Sequence, residues 1–251
     1  MRQVMAIAHR GFSTAAPENT LAAFKKAIEL HPEMMECDVR RTKDGAMVVI
    51  HDAAVDRTTN GKGRVAELTL AEIKGLDAGT WFSPEFAGEQ VPTLDELLGL
   101  VKSSGVKLII EIKEESTEDE VIEIVRSREM VDEVIIGSFR HHIGVRMPEL
   151  ARGIPFSPII SIPHRVGEEE AVRLADEAAA VNGSIYAVNY QAVTPPLVRA
   201  VHAANMLMEA WTVDDEENVR KMVELGCDAI ASNDPDLLLR VLADMGVRGN
   251  G

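Results

Sequence analysis

Two acidic side chains with alternating spacing stand at the end of an apolar segment of this sequence. Glu36 and Asp38 follow Met34 and Met35 and flank Cys37. Side chains alternate between the faces of a strand, so the two carboxylates share one face and Cys37 takes the other. Adjacent carboxylates that lose hydration repel each other, and a hard cation bound by their oxygens removes both costs. The alternative is a solvated strand end at which the two carboxylates are hydrated and have no functional role. The flanking apolar residues favour the cation site.

Further reactive side chains stand at the ends of other apolar segments. They are His9, Arg10, His51, Glu111, Lys113 and Trp211. With Glu111 there are three carboxylates, a set that suits Mg²⁺ or Ca²⁺ rather than Zn²⁺. The arginine and the lysine supply positive charge for a phosphate, and two histidines can serve as base and acid near neutral pH. A single histidine is more often a hydrogen-bonded structural residue, but the combination indicates hydrolysis of a phosphoester.

The elements that must position these residues alternate between strand-like and helix-like segments. The apolar runs predict strands over 5–8, 34–39, 106–112, 132–137, 154–162, 185–189, 206–211 and 228–231. Alternation of this kind predicts a parallel sheet, and eight units predict closure into an α/β (β/α)₈ TIM barrel. We expect one domain over residues 1–251. In such a barrel the active site lies at the carboxyl ends of the strands, where all the candidate residues stand.

Residues 53–92 do not fit this alternation and are predicted to form a small insertion after the second strand. A hairpin turn at 43–45 and a short strand over 46–50 precede the insertion. A polar, turn-rich stretch and three aromatic residues, Trp81, Phe82 and Phe86, occupy it. About 40 residues are long enough for a functional insertion rather than a plain loop. Packing onto the barrel is the simplest use of each aromatic side chain taken singly.

Three local signals refine the predicted elements. Asn19 stands where a cap of the first helix is expected. Thr93 and Thr117 are each followed three residues later by a glutamate, the pattern of a capping box. Pro155 and Pro158 interrupt the fifth strand, because proline cannot donate to a sheet ladder.

The composition excludes several classes of function. The formal net charge of −15 argues against nucleic acid and anionic membrane surfaces as partners. The two cysteines, Cys37 and Cys227, both lie in apolar surroundings and are expected to be buried thiols rather than a disulfide. The N-terminal segment is too short for a signal-peptide core, and no apolar run is long enough to span a bilayer, so we expect a cytoplasmic location without stable membrane association. The sequence leaves the oligomeric state open.

The ordered motifs of this sequence resemble those of the glycerophosphodiester phosphodiesterases along nearly the whole chain. The motifs are His9-Arg10-Gly11, Pro17-Glu18-Asn19-Thr20, Glu36-Cys37-Asp38-Val39, His51-Asp52, Arg57-Thr58-Thr59, Asp77-Ala78-Gly79, Pro92-Thr93-Leu94, Glu111-Ile112-Lys113 and Trp211-Thr212-Val213. Each is short, but their order and spacing are specific. The family has a TIM barrel with a small insertion after the second strand, which matches the position of residues 53–92.

The resemblance implies a role for each candidate residue. It implies that Glu36, Asp38 and Glu111 bind one divalent cation and that His9 and His51 are the acid–base pair. It further implies that Arg10 and Lys113 bind phosphate and that the insertion covers the site. Trp211 either walls the pocket or contacts glycerol. The family usually ends the eighth strand with a Thr-Asp-x-Pro-like motif, and Ser232-Asn233-Asp234-Pro235 departs from it, which leaves the role of the last loop open.

Together, the candidate residues and the family resemblance predict metal-dependent hydrolysis of glycerophosphodiesters to sn-glycerol 3-phosphate and an alcohol. Attack by water and attack by a glycerol hydroxyl, through a cyclic intermediate, both stay open. Two rivals remain: lysophospholipase D activity on lysophospholipids, and a barrel that binds a phosphorylated metabolite without turnover. The short insertion and the acidic composition offer no evident membrane patch, which disfavours the first rival. Simple binding needs neither histidine, which disfavours the second.

Overall fold

In the computed structural model, which describes residues 3–248, the chain forms a closed barrel of eight parallel strands. Its strands, with the short β3 outside the barrel, are β1 (Met5–His9), β2 (Met34–Arg41), β3 (Met47–Val49), β4 (Lys107–Ile112), β5 (Val134–Ser138), β6 (Phe156–Ile160), β7 (Ile185–Asn189), β8 (Leu207–Trp211) and β9 (Ala229–Ser232). The order around the barrel is β1-β2-β4-β5-β6-β7-β8-β9, and β9 pairs with β1 to close it. The predicted TIM barrel is confirmed. The ends of the predicted domain, 1–2 and 249–251, lie outside the described residues.

Helices connect the strands and cover the outside of the barrel. They are α1 (Leu21–Glu29), α2 (Leu70–Lys74), α3 (Leu94–Val101), α4 (Glu118–Ser127), α5 (His142–Leu150), α6 (Glu168–Ala180), α7 (Pro195–Ala203), α8 (Glu216–Leu225) and α9 (Pro235–Asp244). No helix within residues 3–248 is long and apolar enough to cross a membrane. The cytoplasmic location stays a prediction.

Of the three predicted helix caps, the structure confirms one. Thr93 and Glu96 form the expected capping box at α3. Thr117 does not: its side chain makes no capping bond to α4 and donates instead to the Glu114 carbonyl at 3.1 Å. The prediction for Asn19 was also wrong, because Thr20 caps α1 by accepting from the Ala23 amide.

The barrel interior is closed at its amino-terminal end by apolar side chains. The cluster contains Ile7, Met34, Ile109, Ile135, Ile185, Ala229 and Ala231, each buried. Polar side chains take over toward the carboxyl ends of the strands. Because close packing fills the lower barrel, the open space lies above it, at the end where the candidate residues stand. Both cysteines are buried thiols, as predicted.

Residues 53–92 build a small structure beside β3. The strand β3 pairs antiparallel with β2 through the turn at Gly45, whose φ of +88° favours glycine. The insertion contains α2 and a few short turns. Its apolar side chains form one buried cluster with Val48 of β3 and with Ile50: Val55, Val65, Ile73, Ala78 and Val91. Trp81, Phe82 and Phe86 stack edge to face with centroid distances of 5.8 and 5.6 Å. The aromatic residues therefore pack on one another within the insertion.

Candidate active site

A pocket opens at the carboxyl ends of the barrel strands. Seven of the eight residues singled out in the sequence line it: His9, Arg10, Glu36, His51, Glu111, Lys113 and Trp211. The eighth, Asp38, lies fully buried behind the pocket wall. Among the described residues that line the pocket, none belongs to 53–92. The barrel strands therefore bring the predicted residues together, and the insertion does not wall the pocket.

The three carboxylates form one buried cluster. An oxygen of each of Glu36, Asp38 and Glu111 lies within 4.8 Å of the other two, and Asp38 and Glu111 are register partners on β2 and β4. Burial and the charge of Asp38 raise the pKa of Glu36 well above its usual range. Burial likewise raises the pKa of Glu111 to about 7. Burial would also raise the pKa of Asp38, but the charges of Lys113 and Arg10 hold it well below its usual range.

The two cationic side chains lie against this cluster. The Lys113 ammonium is 2.8 Å from Asp38 Oδ1 and 2.6 Å from Glu111 Oε1. Arg10 places Nε 3.2 Å from Asp38 Oδ2, and its backbone amide donates to Glu36 Oε2 at 3.1 Å. The carboxylates thus hold both predicted phosphate-binding groups at the pocket wall.

The donor set fits a hard divalent cation. The buried Glu36 Oε1 has no hydrogen-bond partner among residues 3–248, and an unpaired buried carboxylate oxygen is costly. When all three carboxylates are ionised, they carry one negative charge more than Arg10 and Lys113 offset, and a bound cation would compensate it. Oxygen ligands alone, without thiolate or imidazole in the cluster, suit Mg²⁺ or Ca²⁺.

His9 has a fixed tautomer. Its Nδ1 lies 2.7 Å from Asn233 Oδ1, and the Asn233 side-chain amide donates to Asp214 Oδ2 at 2.7 Å. A carboxylate can only accept, so Asn233 must turn its oxygen toward His9, and Nδ1 must carry the proton. Nε2 then keeps its lone pair and lies 3.8 Å from Glu36 Oε2. Burial and the charge of Arg10 lower the pKa of His9 to about 4, which leaves the ring neutral at pH 7.

His51 is oriented by a carboxylate instead of an amide. Its Nδ1 lies 2.7 Å from Asp52 Oδ1, so this ring also carries its proton on Nδ1 when neutral. Partial burial lowers its pKa, while Asp52 opposes that shift. The side chain is 34% exposed, against 16% for His9, so His51 stands nearer the solvent.

A chain of ion pairs links His51 to Arg10 through the insertion. Arg57 donates to Asp52 at 2.7 Å and to both oxygens of Glu18 at 2.8 Å. Glu18 in turn accepts from Arg10 at 2.9 Å. Asn19, the next residue, adopts a left-handed φ of +59° and donates to Asp38 Oδ2 at 2.7 Å. The Pro17-Glu18-Asn19-Thr20 motif therefore serves the site, which explains why Asn19 does not cap α1.

Several residues of the site were given no role by the sequence reasoning, which named Asn233 but left the role of its loop open. Asn233 and Asp214 hold His9, and no local pattern joins residues 224 positions apart. Phe139 packs edge to face on Trp211 at 5.8 Å, with the Lys113 ammonium 5.9 Å from its ring centre. Glu209 lies buried in the pocket, two residues before Trp211 on the same face of β8. The two-residue period of a strand was a usable signal for Glu209.

Comparison with known proteins shows the family to which this chain belongs. The sequence model of the glycerophosphoryl diester phosphodiesterase family matches residues 9–237. The chain belongs to this family. It is 37% identical over 245 residues to a glycerophosphodiester phosphodiesterase of Caldanaerobacter subterraneus subsp. tengcongensis, covering 96% of this chain and 98% of that protein. It is 30% identical over 261 residues to a glycerophosphodiester phosphodiesterase of Bacillus subtilis, covering 95% and 86%. The family resemblance read from the motifs is confirmed.

Solved structures of the family share the fold. A putative glycerophosphoryl diester phosphodiesterase from Silicibacter pomeroyi superposes with a TM-score of 0.88 at 28% identity, over 98% of this chain and 95% of that one. A phosphodiesterase from Oleispira antarctica, in complex with the product sn-glycerol 3-phosphate, superposes with a TM-score of 0.86 at 29% identity, over 96% and 97%. The chain is therefore a phosphodiesterase, as expected from its family membership.

Proposed function

We propose that this protein hydrolyses glycerophosphodiesters to sn-glycerol 3-phosphate and an alcohol, with a divalent cation and a pair of histidines. The observation that carries the proposal is the pocket in which two imidazoles with fixed tautomers meet a buried carboxylate cluster. Family membership and the product held by the Oleispira structure support the substrate class.

Glu36, Asp38 and Glu111 would hold the cation, Mg²⁺ or Ca²⁺. When bound, such an ion offsets the negative charge of the phosphodiester and polarises it toward attack. Arg10 and Lys113 border the same cluster and would bind the remaining phosphate oxygens. Their positive charge also draws an anionic substrate into a protein whose net charge is −15.

The two histidines would divide the proton transfers. His9 would act as the base, because its Nε2 is unprotonated and lies beside the carboxylate cluster. It would take the proton of the attacking hydroxyl, whether that hydroxyl belongs to water or to the glycerol. His51 is the better acid, because Asp52 stabilises its imidazolium form and the ring stands nearer the solvent, where the alcohol leaves. It would protonate the departing alkoxide oxygen.

The proposal is tested by identifying the products formed from glycerophosphocholine. Phosphorus-31 NMR separates glycerol 3-phosphate, cyclic glycerol phosphate and phosphocholine in one spectrum. We expect glycerol 3-phosphate, with a transient cyclic signal only if a glycerol hydroxyl attacks. Parallel samples contain EDTA, or lysophosphatidylcholine as the substrate. Formation of phosphocholine, or faster turnover of lysophosphatidylcholine than of glycerophosphocholine, would contradict the proposal.

A further inference from the structure

The two histidines of the site differ in how the barrel holds them. His9 is the last residue of β1, which pairs with β2 and β9 inside the barrel. His51 follows β3, which lies outside the barrel, and precedes the insertion. The last backbone hydrogen bond before it runs from the Ile50 amide to the Asp38 carbonyl at 2.9 Å. A group that transfers a proton must be held within about 0.5 Å of its productive position, so this extension needs contacts that fix it to the barrel.

Arg40 joins the backbone of His51 to the barrel. It is the penultimate residue of β2 and, by the two-residue period of a strand, shares a face with Glu36 and Asp38. Its Nε donates to the His51 carbonyl oxygen at 2.8 Å. Within residues 3–248 no backbone amide donates to that oxygen, so the guanidinium takes the place of a ladder hydrogen bond at this point of the chain.

Glu114, just past the end of β4, fixes the guanidinium of Arg40 in turn. Its Oε1 lies 3.3 Å from Arg40 Nη1, and its Oε2 accepts from the Arg41 backbone amide at 3.2 Å. The side chains of Arg40 and Glu114 are 15% and 24% exposed, so solvent screens this pair only in part. A planar guanidinium holds two acceptors in fixed directions. His51 is therefore held at its ring by Asp52, and at its carbonyl by a pair that belongs to the barrel.

We propose that Arg40, supported by Glu114, is a positioning residue for the proton transfer from His51 to the leaving alcohol. The inference rests on the proposed function. Among the described residues that line the pocket Arg40 is absent, so it acts through the backbone of His51 and not on the substrate. Loss of its hydrogen bond lets His51 move away from the leaving oxygen, while Arg10 and Lys113 keep their places at the carboxylate cluster. Protonation of the alkoxide should therefore slow, and substrate binding should persist.

The test compares two isosteric variants on two substrates. Arg40→Met places a methyl group where Nε stood, whereas Arg40→Gln places an amide nitrogen there, which can still donate to the His51 carbonyl. Glycerophosphocholine releases an alkoxide that needs a proton, and bis-p-nitrophenyl phosphate releases a phenolate that needs none. We expect Arg40→Met to lower kcat on glycerophosphocholine by about 10- to 100-fold, the scale of a misplaced catalytic group, with little change in KM. Its rate on the activated diester should stay near that of the unaltered protein, and Arg40→Gln should keep most of kcat on both substrates.

The His51→Ala background separates positioning from general damage. Without the imidazole there is no ring left to position, so Arg40→Met should not lower kcat on glycerophosphocholine any further in that background. Arg41→Met is the matched control, because the side chain of this neighbouring arginine bonds Ser116 and Glu120 instead of His51, and it should leave kcat unchanged on both substrates. If Arg40→Met fails to fold, Glu114→Ala carries the comparison, because it frees the guanidinium and should lower kcat on glycerophosphocholine alone.

Three results would overturn the inference. They are an unchanged kcat of Arg40→Met on glycerophosphocholine, an equal loss on both substrates, and the same loss from Arg40→Met with and without the His51 imidazole. The last two indicate a structural role. Failure of the proposed function gives a different pattern, because the unaltered protein would then release no glycerol 3-phosphate from glycerophosphocholine, or His51→Ala itself would lose equally on both substrates.

Discussion

Replacement of Glu209 by glutamine is expected to stabilise the folded protein while leaving its shape unchanged. Burial raises the pKa of Glu209 to about 8 from an ordinary value of 4.5. At pH 7 the folded state therefore holds a proton that the unfolded state releases, and that release favours unfolding. The free-energy cost at pH 7 is about 3 kcal/mol, set by the difference between 7 and 4.5. Glutamine does not ionise in either state, so the variant should recover up to that amount.

The sign of the effect fixes its pH dependence. Below pH 4.5 the carboxyl is protonated in both states, and the variant should gain nothing. The gain should grow from there to about pH 8, the pKa of the folded state, and then level off. Urea unfolding at pH 5, 7 and 8.5, in EDTA, measures the difference as a shift in midpoint at constant slope. Glu118→Gln breaks an ion pair with Arg146 and should not stabilise at any of these pH values. A gain for Glu209→Gln that is absent, or equal at every pH, would refute the reasoning.

Three further predictions concern catalysis. His9→Ala and His51→Ala should each lower kcat by about 100-fold or more on glycerophosphocholine, and bis-p-nitrophenyl phosphate, whose leaving group needs no proton, should rescue only His51→Ala; equal defects on both substrates would leave the histidines as phosphate binders. Arg57→Met breaks the ion pairs that orient Asp52, and should lower the acid-dependent rate on glycerophosphocholine more than the rate on the activated diester, whereas equal losses would indicate a role in folding. Replacing 53–92 by a short linker should spare the barrel fold in circular dichroism but reduce activity through the loss of Arg57, and loss of folded protein would show that the insertion is structural.

The barrel and its reactive strand ends could be predicted because both depend on local patterns. Apolar runs of strand length marked the barrel strands, and the two-residue period placed Glu36 beside Asp38 and Glu111 beside Lys113. The rule that barrel sites lie at carboxyl strand ends then brought together residues from four strands. The pocket of the structure contains seven of the eight residues obtained in this way.

The partners of these residues could not be predicted, because they depend on packing between distant segments. Asn233 reaches His9 across 224 positions, and Arg57 reaches Glu18 across 39. Asn19 has the residue type of a helix cap, but the demand of Asp38 for a hydrogen-bond donor turned it inward. Where a buried charge must be paired, a residue is expected to make a tertiary contact instead of the local one that its type favours.

The most direct test of the central claim measures cation binding and turnover on the same samples. Protein stripped with EDTA and dialysed is titrated calorimetrically with Mg²⁺, Ca²⁺ and Zn²⁺, and each sample is then assayed for glycerol 3-phosphate release from glycerophosphocholine. Glu36→Gln and Glu118→Gln are treated identically, one inside the carboxylate cluster and one outside it. The stripped protein should be inactive, Mg²⁺ or Ca²⁺ should restore it better than Zn²⁺, and only Glu36→Gln should lose both binding and recovery. Full activity in the stripped protein, or full recovery in Glu36→Gln, would contradict the assignment of this cluster as the catalytic cation site.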